Sequence, residues 1–337
     1  MRVVVEPWRV FLTGGTGLLG SHIAQHLRED GHEVVALHRP GSDTSFLRGL
    51  GCTLSEGDLG DDPDRLASRI EGCLWAVHAA ARVYGGSSWS EVEEVNVGGT
   101  RNTLEASARA GVSHVVHISS VAVYGQAAGP LDGTTPLDGT VGPDHLYGRS
   151  KRLAETAAAE FHESGRVEVT VVRPSVVYGE RDRLFGPNLA RLLRLPVVPV
   201  MGPGDNTVPV VYAGNVAAGV VGALDGRGSG DVFNLAVDHP LTQRGLLEGL
   251  ARGLGRSPTL VSLPAVFVRM GGRLADGAGL IVPGMRRMSG GRAANLVLGE
   301  NPYPSQRARD CLGWRPPVRH ETALLRTGQW LLHQEAT

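Results

Sequence analysis

Tyr147 and Lys151 stand four residues apart in HLYGRSKRLAE, the stretch from His145 to Glu155. At that spacing a helix carries both side chains on one face. An isolated phenol, with a pKa of about 10, is a poor proton carrier at neutral pH. A neighbouring ammonium stabilises the phenolate and brings the group toward its working range, so the pair can move a proton. A packed tyrosine beside a lysine stem produces the same spacing, and the pair alone does not separate the two readings. Ser119 and Ser120 close the β-branched run HVVHISS, 114–120, with Val121-Ala122-Val123-Tyr124-Gly125 after it. A serine hydroxyl at the carboxyl edge of a strand can hold a carbonyl oxygen beside such a tyrosine.

These residues need a scaffold that brings 120 and 147 to one edge. The first half of the chain alternates short β-branched runs with amphipathic stretches. The runs are RVFLT (9–13), EVVALH (33–38), CTLSE (52–56), LWAVHAAA (74–81), HVVHISS and VEVTVVRP (167–174); SHIAQHLRED and EEVNVGGTRNTLEASARA are among the helical pieces. That rhythm predicts an α/β fold with a doubly wound parallel sheet. Beyond residue 180 it weakens into proline-bearing pieces (Pro187, Pro196, Pro199, Pro203, Pro209) with two further strand-like segments, VPVVY (208–212) and DVFNLA (231–236). A Gly/Arg-rich stretch over 271–296 reads as a flap or a loop.

Thr13-Gly14-Gly15-Thr16-Gly17-Leu18-Leu19-Gly20 follows the first strand and opens the first helix. Gly14 permits a tight turn, Gly17 lets backbone approach a pyrophosphate, and Gly20 lets helix and sheet pack closely. We therefore expect a dinucleotide site, with 1–180 and 208–240 as its domain and 181–207 and 241–337 as a smaller mixed α/β lobe over the substrate. An NAD site usually carries an acid about 20 residues on, at the end of the second strand. His38-Arg39-Pro40 stands there instead, and a guanidinium binds a 2′-phosphate that a carboxylate would repel. NADP(H) is favoured over NAD(H), against the competing reading of a solvated surface arginine. Asp58 and Leu59 close the third strand, where the carboxylate can accept from an adenine amino group. Ala79, Ala80 and Ala81 end the fourth with side chains small enough for a cofactor to lie against the sheet edge.

The ordered set TGGTGLLG, GDL, HAAA, NVGGTRNTLEA, ISSVAVYG, YGRSK, RPSVVYG and SQRARDCLGWRP resembles the extended short-chain dehydrogenase/reductase family across nearly the whole chain. The resemblance implies a Rossmann-type sheet. It implies Tyr147 as catalytic acid/base, Lys151 as its pKa tuner and ribose ligand, and Ser120 as the hydroxyl that orients a carbonyl. It further implies Gly14, Gly17, Leu18 and Leu19, with Thr16 in the same loop, at the cofactor phosphates, and Pro174 and Val177 beside the nicotinamide. Asn96 matches a family asparagine that supports the site, although packing inside a helix explains it equally well.

Within the family, a 4,6-dehydratase needs an Asp-Glu pair after the fifth strand, where this chain has Val121-Ala122. Nucleotide-sugar enzymes commonly grip the diphosphate with an arginine in a stretch that here reads GPGDNTVPV, 202–210, with Val-Pro in its place. GPGDNTVPVVYAGNVAAG and the apolar 260–285 region look more like the 3β-hydroxysteroid dehydrogenase and dihydroflavonol reductase branch. The expectation is an NADP(H)-dependent ketoreductase or alcohol dehydrogenase acting on a largely apolar, natural-product or steroid-like small molecule. Its rivals are a nucleotide-sugar 4-epimerase or 4-ketoreductase, and a non-enzymatic NADP(H)-sensing protein. Tyr84, Ser120 and Tyr178, with Trp89 and Phe185, are candidate pocket residues, although aromatics after strands more often cap a core.

Lys and Arg number 33 against 34 Asp and Glu, so no global field would hold a nucleic acid or an acidic membrane. No window reaches the apolar length of a membrane span and the N-terminus lacks a cleavage signature. Cys52, Cys73 and Cys311 have no metal or disulfide spacing and suggest a reducing, cytoplasmic setting. His22 and His26 share a helix face, but without a third ligand nearby they read as surface histidines rather than a metal site. Helices near 90–110 and 147–163, with Ala154, Ala157, Ala158 and Ala159, suggest a homodimer face or intrachain packing.

Overall fold

The computed structural model describes residues 7–83, 88–142, 145–277 and 298–336. Seven parallel strands form the main sheet: β1 (Arg9–Thr13), β2 (Glu33–His38), β3 (Thr53–Glu56), β4 (Trp75–His78), β5 (His114–Ile118), β6 (Glu168–Pro174) and β10 (Val232–Leu235). Their spatial order is β10-β6-β5-β4-β1-β2-β3. The chain leaves β3 and returns beside β1 as β4, so the winding reverses between β1 and β4, where open α/β sheets hold their ligands. Two short parallel pairs stand apart: β7 (Val176–Tyr178) with β9 (Val210–Tyr212), and β8 (Val197–Met201) with β11 (Thr259–Leu263).

Helices cover both faces of the main sheet. Period-two alternation in β1 sends Val10 and Leu12 to one side and Phe11 to the other. The first side packs on α1 (Leu18–Glu29) and α8 (Ala213–Gly222) through Ile23, Leu27, Val216 and Val220. The second packs on α3 (Pro63–Ile70), α5 (Gly99–Arg109) and α6 (Leu146–Glu163) through Leu66, Leu104 and Phe161. A third core joins α7 (Phe185–Leu192), α9 (Gln243–Gly253) and α12 (His320–Ala336) to β8 and β9. The short helices α2 (Ser45–Gly49), α4 (Trp89–Glu93) and α11 (Gln306–Cys311) and the longer α10 (Ala265–Gly277) complete the described elements.

Several expectations are revised. The fourth strand ends at His78 rather than Ala81, because the Ala80 amide turns to the Thr13 hydroxyl. The fifth ends at Ile118. The segment expected as one helix near 90–110 breaks into α4, a π-helical turn at Glu94–Gly98, and α5. Gly98 and Gly99 weaken that helix locally, and a Cβ on Gly99 would lie 2.9 Å from Leu59. Ala154, Ala157 and Ala158 are buried by packing within the chain, while Ala159 is exposed. His22 is also buried rather than on the surface, its Nε2 3.1 Å from the Glu180 carbonyl. Of the Gly/Arg-rich stretch, 271–277 end α10 and the remainder lies outside the described residues.

Candidate active site

The glycine loop is shaped by what its neighbours exclude. Gly14 has φ +73°, and a Cβ there would sit 2.6 Å from the Ala80 nitrogen. At Gly20 the Gly14 carbonyl oxygen would be 2.1 Å away. Neither position tolerates a side chain. Gly17 is exposed and a Cβ would meet only the Gly14 carbonyl, so the ground above it is open. Gly17 caps α1 without a side-chain bond, and the first turn has no acid. Those amides and the helix dipole suit an anion, so the loop fits a dinucleotide pyrophosphate. Thr16, Leu18 and Leu19 are half-buried around it.

At the end of β2, His38 is half-buried with Nδ1 3.2 Å from the Arg39 carbonyl, and Arg39 is exposed. Asp58 is exposed, with Oδ1 accepting from the Gly60 amide at 2.9 Å, while Leu59 is buried under Gly99. Ala79, Ala80 and Ala81 lie half-buried beside the loop.

Across the sheet edge, α6 carries both chemistry-bearing side chains. His145 caps it by accepting from the Gly148 amide at 3.1 Å. Gly148 is necessary, since a Cβ would lie 2.7 Å from the Ala122 carbonyl. The helix therefore packs directly on the turn Val121–Tyr124 that follows β5. Lys151 is buried, donates to the Ile118 carbonyl at 2.7 Å and has its Nζ 5.9 Å from the Tyr147 ring centroid. Burial lowers its pKa to about 8, against the opposing pull of the Glu155 carboxylate. Glu155 is itself held by Arg173 through bonds of 2.8 and 2.5 Å.

The two serines after β5 part company. Ser119 is buried and its hydroxyl has no hydrogen-bond partner among the described residues, whereas Ser120 is half-buried at the edge. Ser120 Oγ accepts from the Ala122 amide at 3.2 Å, which leaves its own proton free to donate. Pro174 is buried and Val177 half-buried, at the edge shared by β6 and β7.

Not every candidate joins them. Tyr178 is 1 % exposed and its hydroxyl bonds His320 Nδ1 at 2.7 Å, so it belongs to the third core. Trp89 lies under the Arg149 guanidinium, 3.9 Å from its ring centroid, and Phe185 packs on the third core. Tyr84 lies outside the described residues. Sequence reasoning missed the bonds that lock Asn96. Its amide donates to Ser150 Oγ at 2.9 Å and to the Arg82 carbonyl at 3.0 Å, and its oxygen accepts from the Arg82 amide at 2.7 Å. It also missed Arg181 (φ +71°), stacked on Phe46 and bonded to Ser21 and Gln25 of α1.

Comparison with known proteins agrees with this geometry. Residues 10–236 match the family model described as NAD dependent epimerase/dehydratase family. A ketoreductase of Stigmatella aurantiaca that acts on a farnesylated dihydroquinoline oxide is 28% identical over 319 residues, covering 94% of each chain. A 2-alkyl-3-oxoalkanoate reductase of Stenotrophomonas maltophilia is 27% identical over 254 residues, 73% of this chain and 76% of that one. UDP-glucose 4-epimerase of Vibrio cholerae is 23% identical over 97% of this chain and 96% of its own. The crystal structure of gox2253 superposes with a TM-score of 0.74 at 27% identity, covering 96% of this chain and 98% of that one. With the phosphate loop, the sheet order and the Tyr147–Lys151 helix, the match places the chain in the NAD dependent epimerase/dehydratase family, as an NAD(P)-dependent enzyme of the extended short-chain dehydrogenase/reductase type.

Proposed function

We propose that the protein is an NADP(H)-dependent ketoreductase or alcohol dehydrogenase for a carbonyl or secondary alcohol on a largely apolar small molecule. The observation that carries this reading is the buried Lys151 ammonium on one helix face with Tyr147, beside the edge where Ser120 keeps a free proton. Bound nicotinamide supplies or takes up a hydride. Tyr147 gives its phenolic proton to the carbonyl oxygen in reduction and takes it back in oxidation. Ser120 donates a hydrogen bond to the same oxygen and fixes its direction. Lys151 spends one proton on Ile118 and keeps two to steady the phenolate and a ribose hydroxyl.

Three observations support the finer points. No carboxylate ends β2, where exposed Arg39 can meet a 2′-phosphate. Val208, at the place of a diphosphate-gripping arginine, packs against the third core and offers no cation. Of the two reductases named above, one acts on a 2-alkyl-3-oxoalkanoate and the other on a 3-oxo compound carrying a farnesyl group. The test is reduction of a 2-alkyl-3-oxo acid with NADPH. Tyr147→Phe should lose about 10² to 10⁴ of turnover, and retained turnover would remove Tyr147 as the acid.

The epimerase relative supports a second reading, a nucleotide-sugar 4-epimerase working through the same tyrosine, lysine and serine. It predicts a dinucleotide retained through purification and conversion of a UDP-hexose with no net oxidation.

A further inference from the structure

His78, the last residue of β4, is 1 % exposed at the point where the winding of the sheet reverses. Its Nδ1 lies 2.8 Å from Thr13 Oγ1 and its Nε2 lies 3.0 Å from Thr100 Oγ1. Proton accounting settles the direction of both bonds. Thr100 spends its hydroxyl proton on the Asn96 carbonyl at 2.7 Å, so it accepts from Nε2–H. Nδ1 then accepts from the Thr13 hydroxyl, whose oxygen accepts from the Ala80 amide at 3.2 Å. Beyond Asn96 the chain of bonds runs to Ser150 Oγ at 2.9 Å and on to the Tyr147 carbonyl at 2.8 Å.

One end of this chain is the first residue of the glycine loop and the Ala79–Ala80 backbone on which Gly14 lies. The other end is the first turn of the helix that carries Tyr147 and Lys151. An imidazole fits the middle because it presents an acceptor and a donor at opposite ends of a rigid ring. Burial keeps it neutral, so both roles are preserved. We infer that His78 is a positioning residue that couples the pose of the dinucleotide loop to the pose of the helix carrying Tyr147. The inference rests on the dinucleotide reading of the glycine loop.

The structure supplies its own control. His117 stacks on His78 with ring centroids 5.4 Å apart and is equally buried, yet neither of its ring nitrogens has a hydrogen-bond partner among the described residues. Loss of a buried imidazole for packing reasons alone would make the two positions behave alike.

The experiment titrates NADPH and NADH by fluorescence into the full chain and its Thr13→Val, Thr100→Val, Thr13→Val/Thr100→Val, His78→Leu, His78→Gln and His117→Leu variants. Thr100→Val and His78→Leu should each weaken binding roughly tenfold, as loss of a buried hydrogen bond would. The double variant should lose no more than Thr13→Val alone, since both act through one chain. His78→Gln, which keeps an acceptor and a donor, should recover most of the affinity, and His117→Leu should bind as the parent does. Wild-type affinity in folded Thr100→Val, multiplicative losses in the double variant, or equal losses in His78→Leu and His117→Leu would each overturn the coupling. If His78→Leu does not fold, Thr100→Val and His78→Gln still decide. A parent chain that binds neither dinucleotide would instead sink the cofactor reading itself.

Discussion

Lys151 is costly in this fold and chemically necessary for the proposed reaction. Its folded pKa, about 8, lies below its ordinary value of 10.5, so between those two pH values the unfolded chain holds more protons. Stability from this group therefore rises as pH climbs from about 8 toward 10.5, while the ammonium that steadies the phenolate and ribose is lost over the same range. Dinucleotide affinity should fall as pH passes about 8 in a calorimetric titration, and the thermal midpoint should not fall in parallel. Lys151→Met should abolish turnover without lowering that midpoint at neutral pH. Arg39 carries a separate expectation. Arg39→Ala should raise the KM for NADPH about tenfold or more with little effect on that for NADH, as loss of a charge-assisted phosphate contact requires. Equal effects on both would make Arg39 a solvated surface residue. The residues legible in the sequence are those whose meaning is local: the glycine loop, the four-residue tyrosine–lysine spacing, and Ser120 after a strand. His78 was opaque, and the bonds of Asn96 were hidden behind a family match, because partners of these two residues lie 65 and 54 residues away.

At the scale of elements, the contact of α6 with the turn after β5 depends on a glycine inside a helix. Glycine normally destabilises a helix by up to about 1 kcal/mol relative to alanine. Gly148 reverses that preference, because a methyl group would press on the Ala122 carbonyl and the capping His145 ring. Gly148→Ala should destabilise by about 1–3 kcal/mol in urea unfolding and lower kcat by displacing Tyr147 from Ser120. A neutral or stabilising result would mean that this packing is looser than the structure shows. The runs of β1, β2, β4, β5 and β6 were readable because they are largely buried on both faces, which demands a continuous apolar string, whereas β3 is an edge strand with no buried residue. β7, β8 and β11 were not readable: β7 has only three residues, prolines interrupt or flank β8 and β11, and all three pair in sheets of only two strands. The π turn at Glu94–Gly98 was equally hidden, since its apolar periodicity matches that of an ordinary helix over so few residues.

The whole molecule carries an acid liability. Burial lowers the pKa of His22 and His78 to about 3 from 6.5, and that of His117 well below 6.5. Below pH 6.5 the unfolded chain takes up protons that these three refuse, so stability falls as pH drops. His320 works in the opposite sense: hydrogen-bonded to Asp238, it has a raised pKa and contributes stability that is lost as pH rises through that value. Near pH 5 His320 is protonated whether the chain is folded or not, so it adds nothing to the slope there and the three buried imidazoles set it. Urea midpoints measured at pH 7, 6 and 5 should fall progressively, and a flat series would show that these histidines titrate normally. No helix among the described residues is long and apolar enough to cross a membrane.

The family match stops at residue 236, one residue past the end of β10, while Leu246, Leu250, Leu324 and Leu331 gather with β8 and β9 around an interior of their own. Ser120, Tyr147 and Lys151 lie inside the matched span, whereas these four leucines lie beyond it. Substitutions among those leucines can therefore reshape that interior without touching a side chain proposed to move hydrogen.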